Sequence, residues 1–164
     1  MKERLLREFA ERFGNAEGAQ VYFAPGRVNL IGEHTDYNGG HVFPCALDIG
    51  TYAVVRKRQD KRLFFYSMNY PEAGIINSSL TGQLEHDDED GWANYPKGVI
   101  WAFKEKGMQP AWGFEMMVYG NLPSGAGLSS SASLEVLTGW ALRDIFEFEV
   151  SDQEIALISQ HAEN

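Results

Sequence analysis

Apolar residues recur at helical spacing at the start of the chain. Leu5, Leu6, Phe9, Ala10 and Phe13 fall on one face of a helix over residues 2–13, and Gly14 supplies a stop. The period then shortens. Gln20–Ala24 reads as a short strand that runs into Pro25-Gly26-Arg27, a loop opener, followed by the brief apolar run Val28–Ile31. Gly32 to Gly40 is polar and rich in turn formers. Residues 51–58 and 62–67 are β-branched or aromatic and are separated by Gln59-Asp60-Lys61, which predicts a hairpin. Residues 70–91 read as irregular surface. A helix is expected over Trp92–Lys106, with Trp92, Val99 and Phe103 on one face. Pro96 belongs in its first turn, because an interior proline costs about 3 kcal/mol. Gly113–Tyr119 is a further strand, Gly120–Ser130 a loop of glycine and serine, and Leu134–Phe146 and Asp152–Ala162 are helices. Ser151 and Glu154 form a capping box at the start of the last one. Strands cluster first and helices then alternate with them, which favours α+β with a mixed sheet. No composition shift divides the chain, so residues 1–164 are expected to form one domain.

Composition narrows the function classes. The 164 residues are 44% apolar and 23% charged, a globular balance that excludes wholesale disorder. Fourteen Lys and Arg against 23 Asp and Glu give a net charge of −9, which argues against a dedicated nucleic-acid or anionic-membrane binder. It leaves open a small phosphate ligand held by local backbone dipoles. No apolar run is long enough to span a bilayer, and the charged N-terminal segment lacks the apolar centre of a signal peptide. A single cysteine, Cys45, leaves no internal disulfide and fits a reducing, cytoplasmic compartment; it reads as a small buried core residue.

Two stretches carry candidate chemistry. The first is Leu122-Pro-Ser-Gly125-Ala126-Gly127-Leu128-Ser129-Ser130-Ser131-Ala-Ser133, between a predicted strand and a predicted helix. Its glycines allow close backbone approach to a ligand, and the helix start offers unpaired N–H donors, which together suit a phosphate. A serine oxygen there could also ligate Mg²⁺. The stretch contains neither a Walker A lysine nor a dinucleotide fingerprint. Its plain alternative is a serine-capped helix after a flexible turn. The second stretch runs from Gly26-Arg27 through Asn29, Glu33-His34-Thr35-Asp36 to Gly40. Carboxylates accept bidentately from adjacent hydroxyls, as a sugar requires. Arg27 is a fixed cation suited to a transferring phosphoryl group. The alternative is a turn capped by its own side chains. His34 and His41 match no zinc spacing. The acidic run Glu85–Asp90 lacks the spacing of a calcium loop and reads as a solvated one.

Gly26-Arg27-Val-Asn29-Leu-Ile-Gly32-Glu33-His34-Thr35-Asp36-Tyr37 resembles the galactokinase signature. Leu122–Ser133 resembles the ATP-binding motif of the wider family that joins galactokinase, homoserine kinase, mevalonate kinase and phosphomevalonate kinase. The resemblance implies a mixed sheet with helices on one side. It implies that Arg27 stabilises the transition state, that Glu33, His34, Thr35 and Asp36 bind galactose, and that the backbone of Gly125, Ala126, Gly127, Leu128, Ser129, Ser130 and Ser131 cradles the phosphates of ATP. Ser131 and Glu163 would ligate Mg²⁺. Trp92 and Tyr95 would flank the adenine, although as plain residues they read as core aromatics, the reading that weighs more at this point. The resemblance places the catalytic base in a Cys-Gly-Ile-Met-Asp-Gln-like segment that this sequence does not contain. The chain is therefore expected to be the N-terminal sugar- and ATP-binding domain of a galactokinase without its C-terminal domain, with little activity alone and a tendency to self-associate through exposed apolar surface. A non-catalytic galactose/ATP sensor and a kinase for a related sugar such as N-acetylgalactosamine are the alternatives.

Overall fold

The amphipathic first segment folds as helix α1, Lys2–Phe13, and Gly14 ends it at a φ of 92°, a left-handed conformation that glycine adopts without strain. The structure is a computed structural model and describes residues 1–31, 43–123 and 130–163, the side chains of 29–31 and 43 excepted. Strands β1 (Gln20–Ile31), β2 (Phe43–Lys57), β3 (Arg62–Ser67) and β4 (Ile76–Ser79) precede helix α2 (Asn94–Glu105). Strand β5 (Phe114–Gly120) and helices α3 (Ser130–Phe146) and α4 (Asp152–Glu163) follow. The five strands form one sheet among the described residues, in the order β1-β2-β5-β3-β4. The β3–β5 pair is parallel and the others are antiparallel, so the architecture is α+β with a mixed sheet, as predicted.

Period-two alternation sends neighbouring strand residues to opposite faces. Ala53, Val55, Phe65, Met116 and Val118 bury one face against α2, α3 and α4. Val54, Tyr66 and Met117 face the other way and pack on Leu5 and Phe9 of α1. Three helices thus share one side, and α1 adds a smaller cluster on the reverse. Strands covered on both faces read as nearly continuous apolar runs, which is why Phe114–Tyr119 shows little alternation.

The expected hairpin between residues 51–58 and 62–67 does not form. Both are strands, but β5 lies between them, with Val54 opposite Met117 on one side and Phe65 opposite Met116 on the other. The backbone groups that would close a hairpin are diverted: Gly113 N–H donates to Asp60 O at 2.6 Å, and Arg58 N–H donates to Gly113 O at 2.8 Å. Arg58 also binds Asp60 through two hydrogen bonds of 2.9 and 2.8 Å, which fixes the turn away from β2. The long β3-to-β5 connection carries α2 across one face, as a parallel pair requires.

Four further expectations are corrected. Pro25-Gly26-Arg27 does not open a loop; β1 continues through it with a register shift between Pro25 and Arg27. Proline, lacking an N–H, is tolerated at a bulge on an edge strand. Residues 76–79 of the supposed irregular stretch pair with β3, a short polar edge strand with no periodic signal. Cys45 is exposed on β2, opposite Val28, and does not belong to the core. Asp90, at the end of the acidic run, is not merely solvated: it binds Lys97 Nζ at 2.5 Å with both side chains largely buried.

The capping box is present, with Glu154 N–H donating to Ser151 Oγ at 3.1 Å. Helix α4 approaches α3 closely at Gly139, where a Cβ would lie 2.8 Å from Ile155 Cγ2 and 3.5 Å from Phe103 Cε2. Alanine gains up to about 1 kcal/mol over glycine in a helix interior. Overpacking typically costs about 1–3 kcal/mol, and the branched Ile155 side chain yields poorly. Gly139→Ala is therefore expected to lower stability by about 1 kcal/mol net, read as a reduced urea midpoint at unchanged m.

Candidate active-site cleft

The first turn of α3 is held on the sheet by a buried hydroxyl. Ser133 Oγ donates to Ala24 O of β1 at 2.9 Å and lies 3.1 Å from Thr51 Oγ1 of β2. Further along the same helix, Tyr22 OH donates to Asp144 Oδ2 at 2.6 Å, a second tie between β1 and α3. Burial and this carboxylate push the Tyr22 hydroxyl well above its ordinary pKa. These ties fix where Ser130 and Ser131 stand. The end of β5 and the residue after it are held by two asparagines. Asn69 takes both the N–H and the C=O of Gly120 at 2.8 Å each, and Asn121 Oδ1 accepts from Gly50 N–H at 2.8 Å.

A cleft of 380 Å³ opens beside this helix start, within the size range of small-molecule sites. Ser130 and Ser131 form its hydroxyl end, and Trp92, Tyr95 and Tyr70 contribute aromatic wall. Tyr95 is 41% exposed and so is not the core aromatic its plain reading suggested. Trp92 is half-buried and meets Phe65 edge to face at 6.2 Å between centroids. The aromatic side of the cleft thus has one face anchored in the core and one open ring.

Ser131 Oγ donates to Glu163 Oε1 at 3.1 Å, bringing together two groups 32 positions apart in the chain. A hydroxyl and a carboxylate oxygen meeting at one point are hard donors of the kind Mg²⁺ takes. One turn along α3, Glu135 is 1% exposed. Burial, and then the charge of Glu163, push its carboxyl up to about 8.

Arg27 is exposed on β1, opposite Ala46 of β2, at the register shift. It does not line the cleft. It lies three residues beyond Ala24, the acceptor of Ser133, about 10 Å further along the strand. Glu33, His34, Thr35 and Asp36, and Gly125 through Ser129, lie outside the described residues. Sequence reasoning missed Thr51, Ser67, Asn69 and Tyr70, which line the cleft from β2, β3 and the turn after β3. They are isolated polar or aromatic residues, Thr51 within β2 and the others at or just after the end of β3, and only the strand order brings them to α3.

The galactokinase galactose-binding signature matches residues 7–57, and the N-terminal domain of the GHMP kinases matches residues 94–164. The chain is 54% identical to galactokinase from Bacillus subtilis (strain 168) across all of its 164 residues. Along its whole length the chain resembles the galactokinases. It spans 42% of the length of that curated relative. The crystal structure of Lactococcus lactis galactokinase complexed with galactose superimposes with a TM-score of 0.95 at 45% identity, over 99% of this chain and 42% of the other. The mevalonate kinase of Methanococcus jannaschii shares the fold at a TM-score of 0.77 and 21% identity, over 90% of this chain and 46% of that one. A likeness at that identity speaks for the architecture alone. No helix among the described residues is long and apolar enough to cross a membrane.

Proposed function

We propose that residues 1–164 form the sugar- and nucleotide-binding domain of a galactokinase, which transfers the γ-phosphoryl group of ATP to the C1 hydroxyl of galactose. The observation that carries this reading is the cleft itself: a hydroxyl end at Ser130 and Ser131, joined to Glu163, faces an aromatic wall at Trp92 and Tyr95. A nucleotide needs both, a polar terminus for its phosphates and ring faces for its base. In this reading the backbone of Gly125 to Ser131 cradles the phosphates, and Glu33, His34, Thr35 and Asp36 bind galactose hydroxyls. The galactose-bound Lactococcus lactis relative supports a sugar ligand.

Ser131 and Glu163 would hold Mg²⁺, which when bound neutralises charge developing on the transferring phosphoryl oxygens. Arg27 presents a permanent cation to the same developing charge and favours the ionised form of the sugar hydroxyl. The helix start at Ser130 adds its unpaired amides. The general base is assigned outside these 164 residues, in the remainder that the longer relatives have. The exposed Cys45 is compatible with a reducing cytoplasm, which we take as the compartment.

The test is a coupled assay of the full-length protein with ATP and a panel of galactose, N-acetylgalactosamine and glucose, the product identified by phosphorus NMR. Galactose 1-phosphate as the preferred product is expected. No ATP-dependent product at C1 defeats the proposal, and a preference for N-acetylgalactosamine reassigns the sugar.

A further inference from the structure

Among the described residues, Glu135 stands out as a carboxyl placed where burial alone disfavours it. It is 1% exposed on α3, and its Oε1 has no hydrogen-bond partner among the described residues. A buried polar atom left unpaired costs about 1–3 kcal/mol, so its retention calls for an explanation. Two facts place it. It follows Ser131 by one helical turn, on the same side of α3. Burial, and then the charge of Glu163, the partner of Ser131, hold its carboxyl toward the protonated form.

We propose that Glu135 is a positioning residue of the cation site, its Oε1 accepting a hydrogen bond from a water of the hydrated ion held by Ser131 and Glu163. Mg²⁺ keeps several of its waters when bound to protein, and each is a strong donor seeking an oxygen. An acceptor already desolvated and unpaired binds such a water without first giving up another partner. Groups in this outer position fix the ligands around a metal, and their loss typically weakens metal affinity about 10- to 100-fold. The proposal rests on the reading of Ser131 and Glu163 as the cation ligands, and its test separates the two.

Binding of Mn²⁺ to the full-length protein with a non-hydrolysable ATP analogue is followed by electron paramagnetic resonance. Glu135→Met keeps the bulk and removes the acceptor. It is expected to weaken Mn²⁺ about 10- to 100-fold without lowering the melting temperature, since it also removes the unpaired buried acid. Glu135→Gln retains an acceptor oxygen and is expected to bind Mn²⁺ within about threefold of the parent. Full affinity in Glu135→Met, with Ser131→Ala and Glu163→Gln weakened, overturns the proposal and leaves the cation site standing. Full affinity in all three overturns both. A second measurement does not depend on the folding of Glu135→Met. The carboxyl stretch of Glu135, identified by its absence in Glu135→Gln, should shift in the infrared difference spectrum when Mg²⁺ binds, and an unmoved band refutes the bridging water.

Discussion

Arg27→Ala in the full-length protein is expected to lower kcat for galactose phosphorylation by about 10³-fold, the lower end of what a transition-state arginine contributes in phosphoryl transfer. The galactose KM should change little, because a cation that meets charge formed only in the transition state contributes nothing to ground-state binding. Placement makes the experiment clean. Arg27 is exposed on β1, so its truncation belongs with surface substitutions that alter stability by no more than about 0.5 kcal/mol. Lost rate cannot then be put down to lost fold, and an unchanged melting temperature checks this. The register shift between Pro25 and Arg27 gives the position its purpose: bulges turn a side chain out of the ladder's alternation and collect beside active sites. Arg27→Lys should recover only a small part of the rate, since a point charge on a flexible stem does not reproduce the guanidinium fork. A kcat within threefold of the parent in Arg27→Ala removes the arginine from the mechanism.

The proposed galactose-binding stretch and the glycine–serine loop are each contiguous, so their pattern is legible along the chain, and most of their residues lie outside the described ones. The cleft's other wall is not legible in this way. Thr51 comes from within β2, and Ser67, Asn69 and Tyr70 from the end of β3 and the turn after it; they share one cleft with β5 inserted between β2 and β3. Local pattern marks residues 51–58 and 62–67 as strands but carries no information on which neighbour each will take. Two runs joined by a short polar turn look like a hairpin, yet the backbone groups of Arg58 and Asp60 bind Gly113 instead. Pro25 misleads in a similar way. Its ring ends most strands, and only the edge position of β1 makes it tolerable here. Glu135 is hidden for another reason: a glutamate within a helix is ordinarily a solvated residue, and only the tertiary packing of α3 buries this one.

Ser131 and Glu163 should behave as one unit. In the full-length protein, Ser131→Ala and Glu163→Ala are each expected to reduce kcat/KM about 10²-fold at limiting Mg²⁺, with part of the loss recovered at high Mg²⁺ as mass action refills a weakened site. The double variant should lose far less than the product of the two, because removing either donor already spoils the point where their oxygens meet, 3.1 Å apart. Additive losses would mean that the two side chains serve different groups, the serine a phosphate and the glutamate something else. The comparison also bears on stability, where a competing explanation lies. Glu163 is exposed and ends α4, so its contact with Ser131 has the geometry of a surface hydrogen bond, with a net contribution of about 1 kcal/mol at most. A contact that weak cannot account for a hundredfold loss by loosening the α3–α4 packing, which rests on Leu137, Ile155 and Ile158 in the core. If the loss appears with an unchanged urea midpoint, the oxygens matter for what they bind rather than for the helices they join.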